Sequence, residues 1–133
     1  LNDVLGQSAI RGTCSTCHNA PNLGSNSQGL LFNTGVSDGA HRAPELPLYT
    51  LRDKATGETV TTTDPGAALI TGKWSDVGKF KVPILRGVAA RAPLFHDGSA
   101  ARIADVIDFD DSRFSIGLSA AEKSDLAAFI GAL

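Results

Sequence analysis

The chain has 133 residues, 42% of them hydrophobic and 20% charged, with a formal net charge of −2 and a mean hydropathy near zero. This is the length of one domain with a core to bury, the charge provides no basic footprint for nucleic acid, and no apolar run approaches the roughly 18 residues of a membrane span. Two cysteines are present and methionine is absent.

A first helix is expected from about Asp3, which can cap it, with Leu5, Ala9 and Ile10 near helical spacing and Gly6 leaving room for close approach. It leads into Cys14-Ser15-Thr16-Cys17-His18. A Cys-x-x-Cys-His run reads as a covalent c-type haem attachment site. One helical turn brings two thiols to the same porphyrin edge for thioether formation, and the adjacent histidine then points at the iron. Zinc would need two further ligands at suitable spacing, and the chain has no third cysteine. A redox Cys-x-x-Cys pair has no use for the histidine and belongs in a βαβ pattern that is missing here. Covalent haem c implies an exported, periplasm-type location in a bacterial source. The start at Leu1, without a signal-peptide pattern, fits a trimmed form. Both cysteines are used by the motif, so disulfide usage does not report the compartment.

Asn19 to Gly29, rich in Asn, Ser and Gly, is expected to wrap one side of the haem, where a backbone carbonyl can orient His18 through its other ring nitrogen. Leu30 to Phe32 is a short apolar stretch before irregular chain. Leu48 to Arg52 and Thr59 to Thr63 are β-prone runs around a Gly57 turn and predict a hairpin, either scaffolding or a partner surface. Asp64-Pro65-Gly66 predicts a short helix over Ala67 to Thr71, capped by Asp64 and ended by Gly72. Trp74 reads as a packing residue or a hydrogen-bond donor to a haem propionate. Phe80 to Arg86 is extended around Pro83 and ends in Arg86, whose guanidinium suits a propionate as well as it suits solvent. Ala92 to Gly98 forms turns, and Ser99 is expected to cap a third helix, about Ala100 to Phe109, with Ile103, Val106 and Ile107 on one face. Ser119-Ala120-Ala121-Glu122 is a capping box for a last helix striped by Leu126, Phe129, Ile130 and Leu133.

Two motifs, Lys81-Val82-Pro83-Ile84-Leu85-Arg86-Gly87-Val88-Ala89 and Ala92-Pro93-Leu94-Phe95-His96-Asp97-Gly98-Ser99-Ala100, resemble the C-terminal haem domain of bacterial dihaem cytochrome c peroxidases and MauG-like proteins. Phe32 to Val36, the Asp64-Pro65-Gly66 turn and Glu122 to Ile130 look like the same domain, so the resemblance covers nearly the whole chain. It implies a mostly α, cytochrome c fold over residues 1 to 133. The N- and C-terminal helices would cross, with Gly6 near Phe129, and the hairpin would be a small β insertion. It carries the proximal ligand to His18 and the thioether positions to Cys14 and Cys17.

The chain departs from that family in two ways. It has one Cys-x-x-Cys-His motif where the dihaem enzymes have two. The family's sixth iron ligand, a methionine or a tyrosine on the helix after the Phe-His-Asp-Gly motif, falls on Asp110. An ionised aspartate is a hard oxygen ligand that favours ferric iron, whereas methionine raises the potential. The same Asp110 also reads as a solvated or capping carboxylate. His41, His96 and Tyr49 are other distal candidates, and an open or water-bound sixth position is a further one.

The leading expectation is a monohaem c-type cytochrome carrying single electrons between exported redox protein partners. The alternatives are a haem protein with an open distal site that binds or reduces a small ligand such as peroxide, NO or CO, and a haem domain of a larger dihaem peroxidase-like oxidoreductase, partnered by a second haem domain.

Overall fold

The computed structural model describes residues 14–18 and 31–133. The first helix from Asp3, its approach to Phe129 at Gly6, and the Asn19 to Gly29 loop lie outside the described residues. The chain divides into two compact units, Leu31–Phe80 and a second made of Lys81–Leu133 with Leu1–Leu30.

In the first unit, β2 (Tyr49–Arg52) and β3 (Thr59–Thr62) form the expected hairpin, antiparallel with Tyr49 opposite Thr62 and Arg52 opposite Thr59. Threonine and valine suit this pleated, half-exposed ribbon. Its turn is tied at Asp53, whose side chain accepts from the Ala55 amide at 3.0 Å and the Thr56 hydroxyl at 2.9 Å. β1 (Leu31–Phe32) pairs with β4 (Phe80–Lys81), so the chain enters and leaves this unit side by side. Phe32 is buried, and so are three small polar residues, Ser37, Thr62 and Thr63. Burying them is tolerable because the Ser37 carbonyl accepts from the Thr62 hydroxyl at 2.8 Å, the Thr63 hydroxyl at 3.2 Å and the Thr63 amide at 2.8 Å.

α2 (Ala68–Thr71) starts one residue later than expected, and Asp64 does not cap it. The Asp64 carboxylate instead accepts from the Gly66 amide at 2.7 Å and bends the chain before the helix. Gly66 needs its positive φ of 61° there, and a Cβ would sit 2.6 Å from the Lys79 carbonyl. That carbonyl accepts from the Ala67 amide at 2.9 Å. Gly72 ends the helix in the left-handed region, as its position predicts.

In the second unit, α3 is Ile103–Phe114, shifted towards the C-terminus of the expected span. Ser99 is not its cap, because its amide and hydroxyl both donate to Asp97, at 3.0 and 2.7 Å, within the preceding turn. Asp105 takes over the helix start, accepting from the Arg102 amide at 2.9 Å and pairing with the Arg102 guanidinium at 2.8 Å. α4 (Ala120–Gly131) begins where expected: the Ser119 hydroxyl accepts from the Glu122 amide at 3.3 Å while the Glu122 carboxylate accepts from the Ser119 amide at 2.8 Å.

α4 packs on α3, and Lys123 clamps the pair by reaching Asp108 at 2.9 Å and Asp111 at 2.7 Å. Val82, Ala100 and Ile107 are the buried apolar residues described in this unit. The stripe on α4 is only partly covered. Leu126, Ile130 and Leu133 are half-buried, but Phe129 is 58% exposed.

Candidate functional site

The Cys-x-x-Cys-His motif folds as one helical turn, α1 (Cys14–Cys17), continued by the His18 amide donating to the Cys14 carbonyl at 2.8 Å. Three residues of separation put Cys14 and Cys17 on one face of that turn. Both are free thiols, Cys14 exposed and Cys17 half-buried. The Cys17 thiol is pushed up first by burial, then by the Asp110 carboxyl and by Cys14. It is therefore a protonated thiol near neutral pH, with little intrinsic nucleophilicity of its own.

His18 is half-buried, and burial lowers its pKa, so the ring is held in the neutral form that binds metals. The Pro83 carbonyl faces the ring and pulls the pKa the other way. Its influence is electrostatic, because the buried Nδ1 of His18 has no hydrogen-bond partner of normal geometry. The Asn19 to Gly29 loop, from which an orienting carbonyl is expected, lies outside the described residues; the carbonyl described beside the ring is that of Pro83, in the segment after β4.

That segment is braced by Arg91, a residue the sequence did not single out. Its guanidinium donates to the Ile84 carbonyl and, at 3.2 Å, to the Arg86 carbonyl. An arginine at the end of a 3-10 turn carries no sequence signal for such a role. Arg86 contributes its backbone to this brace and keeps an exposed side chain.

Asp110 is half-buried, neither fully solvated nor used as a cap of α3. It lies on the face of α3 that carries Ile103, Val106 and Ile107, and burial pushes its pKa up to about 6. The neighbouring carboxylates behave differently. Asp105 pairs with Arg102, and Asp108 and Asp111 pair with Lys123. Asp111, held low chiefly by Lys123, also accepts from the Gly117 and Leu118 amides at 2.8 and 3.0 Å.

His96 is exposed on a turn closed by the Leu94–Ala100 bridge. Beside it, Phe95 takes a positive φ of 65° and sets its ring edge-on to Phe109, with centroids 5.1 Å apart. The remaining candidates belong to the Leu31–Phe80 unit. His41 is exposed at the end of a 3-10 turn, Tyr49 is an exposed member of β2, and Trp74 donates from Nε1 to Glu58 at 3.3 Å.

Among the described residues no group of three or more His, Cys, Asp or Glu side chains is arranged to cage a bare ion. The donor set around α1 suits a group that brings most of its own ligands: two thiols on one face, a neutral imidazole next to them, and a ring nitrogen with no partner opposite a carbonyl. Haem c is such a group.

The chain is 34% identical over 136 residues to a protein named cytochrome-c peroxidase IdrP2 from Denitromonas iodatirespirans, an alignment that covers 92% of this chain and 36% of that protein. It is 33% identical over 140 residues to cytochrome-c peroxidase IdrP1 of Pseudomonas sp. strain SCT, covering 90% and 36% respectively. The chain thus has peroxidase-like relatives and spans about a third of their length. No protein-family model and no solved structure matches it.

Proposed function

We propose that the chain binds one haem c, tied by thioethers at Cys14 and Cys17 and ligated by His18, and works as a one-electron haem domain in peroxidase-type chemistry in an exported compartment. The observation that carries this reading is the motif turn itself, with its two thiols on one face and His18 kept neutral by burial beside the Pro83 carbonyl. The names of the relatives support the reaction class.

Haem bound at this place supplies one-electron exchange at iron and a sixth coordination position. The chain's own residues do the rest. Cys14 and Cys17 fix the porphyrin edge, burial keeps the His18 ring deprotonated at one nitrogen for the metal, and the Arg91-braced segment holds the Pro83 carbonyl against the other. Reducing hydrogen peroxide to two waters takes two electrons and two protons. A one-electron site supplies half of that, so a second redox centre is required, in a second haem domain or a redox protein partner. The mostly α, cytochrome c fold belongs to the same proposal. It is supported by α4, which buries none of its residues fully and leaves Phe129 open for a crossing helix.

The test is haem-loaded chain, reduced and mixed with hydrogen peroxide in the presence and absence of an electron-donor protein. Sustained peroxide consumption that requires the donor is expected. A chain that acquires no haem in a cytochrome c maturation host would refute the proposal.

A further inference from the structure

Charge is unevenly spread over the unit that holds the attachment motif. Residues 81–93 carry three cations, Lys81, Arg86 and Arg91, and no carboxylate, whereas residues 97–133 carry seven side-chain carboxylates and three cations. Several of those carboxylates have local partners: Asp105 pairs with Arg102, and Asp108 and Asp111 pair with Lys123. The three cations of residues 81–93 are exposed. Arg91 directs its guanidinium at the Ile84 and Arg86 carbonyls, which fixes its position without neutralising its charge. Pro83 and Ile84 are exposed between Lys81 and Arg86, so charged residues flank a small apolar centre. An apolar centre with a polar rim is the composition of a protein interface, and a one-signed patch on a chain of net negative charge orients an approaching partner. The patch adjoins the attachment turn. The Pro83 carbonyl faces the His18 ring, and Cys14 is itself exposed.

We propose that the exposed segment 81–91 is the docking surface for an acidic one-electron redox protein, which Lys81, Arg86 and Arg91 hold around Pro83 and Ile84. This rests on the haem reading above and deepens it by naming the class of partner and the face it uses. Adjacency to the attachment turn favours a redox protein over an anionic lipid surface, because a partner seated there lies beside the residues that tie the haem. Charge brings the partner in and orients it, while a small contact area lets it leave after transfer.

The test uses the haem-loaded chain and flavodoxin, an acidic one-electron donor, as the probe. Binding is followed by calorimetry and electron transfer by stopped-flow absorption. In the transfer one electron passes from the flavin hydroquinone anion to ferric haem, giving one-electron-oxidised flavin and ferrous haem, with no proton leaving the flavin. Binding is expected at low ionic strength and should weaken about tenfold as ionic strength rises from about 0.02 to about 0.2 M. Lys81→Glu/Arg86→Glu weakens binding and slows transfer by roughly tenfold or more, with the visible spectra unchanged. Lys54→Glu/Lys73→Glu, at exposed positions of the Leu31–Phe80 unit and with the same change in net charge, alters each by less than about twofold. If the first double variant fails to fold, Arg86→Gln carries the test, with binding about threefold weaker. Equal effects of the two double variants, or no flavodoxin binding at low ionic strength, overturn the proposal. So does an altered haem spectrum in Arg86→Gln with flavodoxin binding unchanged, which would put the guanidinium on the haem, and so does binding to anionic phospholipid vesicles without binding to flavodoxin. A wild-type chain that carries no covalent haem refutes the haem reading instead, and calorimetry still reads the docking, which separates the two failures.

Discussion

At the scale of single residues, the molecule carries two half-buried ionisable groups whose shifts have the same cause and opposite directions. Burial keeps His18 neutral by lowering its pKa and keeps Asp110 protonated to higher pH by raising its own. For Asp110 the sign is definite. An unfolded aspartate titrates near 3.8 and Asp110 near about 6, so between these values the unfolded chain has lost a proton that the folded chain retains. Stability therefore falls as pH rises from about 4 to about 6, by at most about 3 kcal/mol, and is flat above. Asp110→Asn should remove that slope in urea unfolding followed across the range; an unchanged slope would place the shift elsewhere. His18 works in the other direction, since its neutral form is the one buried, and protonation in acid opposes folding. His18→Ala is expected to abolish the native haem spectrum, read by visible absorption. The sequence made the motif residues legible because their spacing is a chemical requirement. It did not reveal Pro83 as the carbonyl beside His18, nor Arg91 as the brace, because both roles arise from tertiary proximity and neither residue type signals them. Asp110 was named as a candidate, but its burial could not be read from a run of four aspartates, three of which are matched by cations.

At the scale of elements, boundaries followed local chemistry wherever that chemistry was unambiguous. The capping box at Ser119 and the left-handed glycine at Gly72 ended up where their signals placed them. The start of α3 did not, because Asp97 competes for Ser99 and Asp105 supplies its own helix start. Ser119→Ala should lower stability by about 1 kcal/mol through loss of the cap, measured as a fall in Tm. Two glycines of similar dihedral separate backbone strain from crowding. Gly87, with φ 68° and no atom within 4 Å of where a Cβ would sit, is expected to cost about 1 kcal/mol as alanine. Gly66→Ala meets the Lys79 carbonyl at 2.6 Å in addition and should be clearly worse, by about 2 kcal/mol or more. Equal losses for the two variants in denaturant titrations would contradict the close approach of Gly66 to Lys79.

For the whole molecule, the hairpin of β2 and β3 was legible from its β-branched runs and its Gly57 turn, and the structure pairs its strands over four residues each. The crossing of a first helix with α4 remains a proposal, resting on the uncovered Phe129 and on the resemblance. Among the described residues no helix is long and apolar enough to cross a membrane. The relatives named cytochrome-c peroxidase are about three times the length of the alignment, so the second redox centre that the proposal requires would lie in the part of such proteins that this chain does not match, or in a separate partner. The proposed chemistry turns on whether α1 holds haem covalently. The most direct measurement is the intact mass of the chain in denaturant after expression with haem maturation, for the wild type and the Cys14→Ala/Cys17→Ala double variant. The wild type is expected to retain the mass of one haem and the double variant none; a wild-type mass equal to the bare polypeptide would contradict the proposed site.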